Sequence, residues 1–125
     1  MKAKSIKGKS TEEINSALQD SMADGFRPTL AIAFISKSLD RKAICAILDS
    51  ADIAIYGATT NGEFIDETYE TGTIAILLLD INPAYFSILF SELGGTNDRS
   101  ITAKLATDAQ KIFNNPSFFI TASSL

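Results

Sequence analysis

The sequence predicts an α/β domain with a mixed, largely parallel sheet covered by helices and one antiparallel hairpin. Three observations predict it. "TLAIAFI" (29–35) and "DIAIY" (52–56) are almost wholly apolar, as strands covered on both faces are. The segment between them repeats its apolar residues at helical spacing. "GTIAILLLDI" and "YFSILFSEL" are joined by only "NPA", a connection that makes two strands antiparallel neighbours.

In chain order, the lysine-rich "MKAKSIKGK" reads as a solvated terminal segment. Ser10 and Glu13 form an S-x-x-E capping box, and Ile14, Ala17, Leu18 and Met22 share one helical face before Gly25. This predicts a helix over 11–24. After the strand at 29–35, Asp40 opens "DRKAICAILDSA", whose Ile44, Ile47, Leu48 and Ala51 again share a face. The next strand covers 52–57. The hairpin follows, with Phe86, Ile88 and Phe90 alternating in its second strand. Ile101, Leu105, Ala109, Ile112 and Phe113 mark a third helix ended by "NNP", and "SFFITA" is expected as a last strand over 117–122. The expected core comprises Ile32, Phe34, Ile53, Ile55, Ile76, Leu78, Phe119 and Ile120, with strands 29–35, 52–57 and 117–122 mutually parallel.

Composition bounds the function. A chain of 125 residues with 46% hydrophobic content suits a single domain over 1–125. Its longest wholly aliphatic run, "IAILLL", is far short of the roughly 18 residues of a membrane span, so no membrane partner is expected. One cysteine cannot close an intramolecular disulfide, which agrees with a reducing, cytoplasmic setting. All 15 acids follow residue 10, where only 7 basic residues remain, so the body carries 7 − 15 = −8. Scattered lysines and arginines on an acidic body do not make a nucleic-acid surface.

Catalysis is poorly served. With no histidine the chain lacks Ser-His and Cys-His pairs, an imidazole base and histidine metal ligands. Cys45 stands at the edge of an apolar helical face and reads as a packed thiol. "EFIDETYE" lacks the spaced ligands and central glycine of a calcium loop, so Glu63, Asp66, Glu67 and Glu70 read as a solvated acidic loop. No metal and no cofactor is expected.

Ligands of open α/β sheets bind beyond the carboxyl ends of the strands. Three such ends, "FISKS", "YGATTNGE" and "FITASS", each deliver at least two hydroxyls. In the first, Ser38 or Asp40 is placed to cap the second helix. "YGATTNGE" runs into no helix pattern, so capping does not explain Thr59 and Thr60. Gly57 would let the backbone leave the sheet, and Asn61 with Gly62 suits positive φ and would turn N–H groups toward a guest. A plain N-G hairpin turn is the rival.

The succession "LAIAFIS", helix, "ADIAIYGATTNGEF" and "GTIAILLLD" resembles the N-terminal domain of FIST proteins over about residues 10–125. Gly57, Thr60, Gly62 and Glu63 are its most specific part. The family loop often places a cysteine after its first glycine; here that position is Ala58. The resemblance implies a sensory module that binds a small ligand, an amino acid among the candidates, and signals to a downstream FIST C-terminal domain or a signalling partner. It also implies that the chain is the N-terminal portion of a longer sensor. The implied site joins Gly57, Thr59, Thr60, Asn61, Gly62 and Glu63 with Ser36, Lys37, Ser123 and Ser124, Glu63 meeting the ammonium group. An interaction module without ligand and a small α/β enzyme are the alternatives.

Overall fold

The computed structural model describes residues 1–65, 67–92 and 98–121. It divides the chain into two compact units, Met1–Pro83 and Ala84–Leu125.

The first unit is a mixed α/β fold. Its strands are β1 (Lys2–Gly8), β2 (Leu30–Ser36), β3 (Ala54–Thr60), β4 (Glu63–Ile65), β5 (Thr68–Glu70) and β6 (Ile74–Asp80), and its helices are α1 (Thr11–Met22) and α2 (Arg41–Ser50). Four strands form one sheet in the order β1-β6-β2-β3, while β4 and β5 pair separately. β2 and β3 are parallel; β6 is antiparallel to both β1 and β2. Three strands thus run one way, yet two of the three pairings are antiparallel, because β6 is inserted between β1 and β2. A largely parallel sheet is not what forms.

The helices begin where their caps predict. Ser10 accepts from the Glu13 backbone N–H at 3.2 Å, and Glu13 Oε2 accepts from the Lys9 N–H at 2.8 Å. Asp40 accepts from the Ala43 N–H at 3.1 Å. One orphan donor of each helix is thereby satisfied, and Glu13 also holds the residue that precedes the first cap. Gly25, at φ 87°, completes the exit from α1.

Both crossovers, β1 to β2 and β2 to β3, step across the sheet in the same direction. Crossovers of one hand then place both helices on one face. The buried residues agree: Ile14 and Leu18 of α1 and Ile44 and Leu48 of α2 meet Ile6, Ala31, Ala33, Ile35, Ile74, Ile76 and Leu78. By register, Ala31, Ala33 and Ile35 share that face with Ile76 and Leu78, while Ile32 and Phe34 share the opposite face with Leu77 and Ala75. This one-sided cover corrects the expected core. Ile53, Ile76 and Leu78 are buried, but Ile32 and Phe34 on the opposite face are only half-buried, and Ile55, on the helix face with Ala31, is half-buried at the sheet edge. Leu77 is 37% exposed in the middle of a wholly apolar run.

The N-terminal segment is a second correction. It is not solvated chain but the edge strand β1, paired with β6 from Lys2–Asp80 to Gly8–Ile74. The apolar β6 needs a ladder on both sides, and a lysine-bearing strand supplies the outer one while keeping a charged edge. Lys4 Nζ donates to Ser21 O at 2.6 Å and to Asp24 at 2.9 Å, and lies 5.2 Å from the centre of the Phe26 ring. Lys7 and Lys9 reach Glu70 of β5 at 3.0 and 3.4 Å.

In the second unit, α3 (Asp98–Ile112) is the expected third helix. Residues 86–92 form no strand, so the predicted hairpin is absent; β6 finds its partners in β1 and β2 instead. Residues 117–121 form no strand either, and Phe118, Phe119 and Ile120 are exposed by 54, 63 and 70%. Their pattern is that of a covered strand, but a pattern becomes a strand only where a ladder accepts it.

Candidate functional site

The carboxyl ends of β2 and β3 lie side by side, with Ser36 paired to Thr60. Because β6 runs the other way, its start comes to the same end of the sheet: Ser36 N–H donates to Thr73 O at 3.0 Å, and Lys37 N–H donates to Thr60 O at 3.2 Å. Three strands therefore converge where a sheet of this kind offers a site.

Between them sits Glu63, only 2% exposed. Its Oε2 accepts from the Thr73 N–H at 3.2 Å and from the Thr73 hydroxyl at 2.8 Å, while Oε1 accepts from the Thr60 hydroxyl. Thr73 and Ser36 are buried as well, and the Ser36 and Ser38 hydroxyls are 3.1 Å apart. A carboxylate withdrawn from water costs several kcal/mol unless donors replace the water, and three donors converge on it here. The consequence is a fixed polar knot. Glu63 is spent on the chain's own donors, with both oxygens turned inward.

Around the knot, Lys37, Thr59 and Asn61 are exposed and Gly62 is half-buried. Lys37, Thr59, Thr60, Asn61 and Ser36 are thus brought to one end of the sheet. Ser123 and Ser124 lie outside the described residues, as does Asp66. Glu67 is exposed at φ 69°, and Glu70 turns to Lys7 and Lys9, so the acidic stretch is not one cluster. The hydrogen bond from Lys7 is the main reason that the Glu70 carboxyl titrates below its ordinary range, with the charges of Lys7 and Lys9 adding to it.

The glycines work differently from expectation. Neither Asn61 nor Gly62 has positive φ. Gly62 is required because a Cβ there would meet the ring and hydroxyl of Tyr69. Gly57 does not mark an exit from the sheet, since β3 continues to Thr60; a Cβ there would run into the Ala33 carbonyl oxygen of β2. The N-G pair also closes no hairpin between β3 and β4, because β4 pairs with β5.

Thr73 is the member of the knot that sequence reasoning missed. It lies 10 residues from Glu63 and looks like the first residue of an apolar strand. A hydroxyl placed just before "IAILLL" was its only signal. Cys45 is half-buried on α2. Among the described residues, no three of His, Cys, Asp and Glu are grouped as a metal site requires, and no helix is long and apolar enough to cross a membrane. Two surface depressions, one beside β1 and α1 and one between α1 and α2, include no residue of the 56–64 segment. No family model, curated protein or solved structure matches the chain.

Proposed function

We propose that the chain is a small-ligand-binding sensory module of a cytoplasmic signalling protein of FIST type, with amino acids as the ligand class and the carboxyl ends of β2 and β3 as the site. The observation that carries the proposal is the buried Glu63–Thr60–Thr73 knot beneath an exposed rim of Lys37, Thr59 and Asn61. A binding surface needs its first contacts held by a rigid support, and the knot supplies one. In this reading Lys37 meets the carboxylate of a ligand, Thr59 and Asn61 offer hydrogen bonds to its polar atoms, and Glu63 holds the loop. Its signal passes to a downstream domain or a separate partner. Binding rather than turnover fits the inventory, because the chain has no histidine to serve as a base and the one carboxylate beside a hydroxyl here, Glu63, is buried and held by Thr60 and Thr73.

The test is a thermal-shift screen of free amino acids and related carboxylates against the chain, repeated with Lys37→Ala and Asn61→Ala. Both positions are exposed, so both variants keep the fold. A ligand at about 100 times its Kd adds about 2.7 kcal/mol of stability. The stabilisation should vanish or shrink in both variants. Equal stabilisation in all three proteins, or none from any member of the panel, would remove the proposal.

A second reading, a protein-interaction module, is favoured by one specific observation, the open outer edge of β3.

A further inference from the structure

β3 is the last strand of its sheet, and its hydrogen-bonding polarity can be read from two bonds. Ala54 N–H donates to Thr29 O at 3.0 Å, and Thr60 O accepts from Lys37 N–H at 3.2 Å. Residues 54, 56, 58 and 60 therefore turn their backbone groups toward β2. In a parallel ladder the alternate residues turn theirs away, so Ile55, Gly57 and Thr59 present N–H and C=O groups at the outer edge. Among the described residues nothing pairs with these groups. Gly57, Ala58 and Thr59 are also exposed.

Open edges are normally guarded by lysine, proline or a bulge. The other edge of this sheet, β1, carries Lys2, Lys4 and Lys7. "AIYGATT" has no charge and no proline, and its ladder runs without a bulge from Ala54 to Thr60. An unguarded edge beside a guarded one marks a strand that pairs with something.

We infer that the occupant is β3 of a second copy of this chain, added antiparallel about a twofold axis at Gly57. That register sets Ile55 opposite Thr59 of the partner and Gly57 opposite Gly57. All three outward-facing residues of each strand then meet outward-facing residues of the other. Each such pair exchanges two N–H···O=C bonds. No charge opposes a like charge, because β3 has none.

Charge on the neighbouring helix selects a second copy over an unrelated strand. α2 packs on β3 and runs opposite to it, so its first turn lies near the end of β3 and its last turn near the start. Arg41 and Lys42 are exposed in the first turn, Asp49 is exposed in the last, and among the described residues none of the three makes an ion pair. A twofold axis at Gly57 sets the two α2 helices antiparallel, which brings the basic end of each toward the acidic end of the other. The same surface is self-complementary in hydrogen bonding and in charge, as an isologous interface has to be. Two four-stranded sheets become one continuous sheet.

Sedimentation velocity over a wide concentration range tests the inference with four variants. Thr59→Pro deletes an outward N–H that bonds nothing among the described residues, Lys42→Glu and Asp49→Lys each set like charges together, and Lys42→Glu/Asp49→Lys restores the pairing in reversed sense. The wild type should show a monomer–dimer equilibrium, and Thr59→Pro should raise its Kd at least about tenfold. Each single charge change should weaken the dimer by a smaller factor, and the double change should recover it. The charge arm stands by itself should the proline variant not fold. A wild type that is monomeric throughout, a dimer indifferent to Thr59→Pro with its fold retained, or a double charge change that recovers nothing would each overturn the inference.

Discussion

Replacing Glu63 tests the buried knot directly. In Glu63→Ala the Thr73 N–H loses its acceptor, and a buried unpaired donor costs about 1 to 3 kcal/mol. The Thr60 and Thr73 hydroxyls lose charge-assisted bonds but can turn, which adds about 1 kcal/mol, and the vacated volume adds about as much again. Relief of the carboxylate's burial offsets part of this sum. The expected net loss is about 2 to 4 kcal/mol. Glu63→Gln keeps the shape: its carbonyl retains both Thr73 bonds while its amide donates to the Thr60 oxygen, so the loss should be about 1 kcal/mol. Urea unfolding followed by far-ultraviolet circular dichroism reads both. At a slope of about 1.5 kcal/mol/M, the alanine variant should unfold about 1.3 to 2.7 M earlier than the wild type. Variants both within about 0.5 kcal/mol of the wild type would refute the argument, because an unclamped carboxylate is worth that little.

Leu78→Ala should cost about 2 to 5 kcal/mol in the same assay, and Ile55→Ala roughly half of that, since Leu78 is fully buried and Ile55 only partly. Equal costs would show that the outer edge of β3 is covered, since Ile55 shares the helix face with Ala31. Ser10→Ala should cost about 1 kcal/mol through the loss of the α1 cap, with the helical signal otherwise unchanged. Asp24 and Glu70 titrate below their ordinary values of 3.8 and 4.5, chiefly through hydrogen bonds from Lys4 and Lys7. A depressed carboxyl contributes stability that is fully present above its ordinary value and is lost as pH falls through its lowered native one. Thermal midpoints should therefore fall below about pH 4.5 less steeply in Lys4→Ala/Lys7→Ala than in the wild type; identical slopes would remove both lysines from the account.

Helices and apolar strands were legible in the sequence because local rules govern them. Ser10 and Asp40 cap the helices that local rules have them cap, and strands form near the expected 29–35 and 52–57, as Leu30–Ser36 and Ala54–Thr60, and in the run after Gly72. What failed was non-local. β1 was invisible because a Lys-Ala-Lys-Ser alternation looks like solvated chain until an apolar neighbour requires a ladder. Apolar runs suggest cover on both faces, but the direction of the two crossovers decides which face the helices take, and no residue of β2 encodes it. The loop at 56–64 stood out by composition, yet the reasons for its glycines lie in Ala33 and Tyr69, which only tertiary contact reveals.

Those two glycines also separate the two roles that this end of the sheet can hold. Gly62 and Glu63 look inward, one under Tyr69 and the other into Thr60 and Thr73, so they fix the loop and leave the rim of Lys37, Thr59 and Asn61 to face solvent. Gly57 serves the strand instead, since its missing Cβ admits the Ala33 carbonyl on one side, and its outward N–H and C=O stand free on the other. Thr59 belongs to both sets: its backbone lies in the edge ladder while its side chain stands at the rim. A strand added along β3 would therefore fix the backbone from which the rim is displayed. Binding at the rim and pairing at the edge should favour each other, because whichever comes first has already ordered Thr59 for the other.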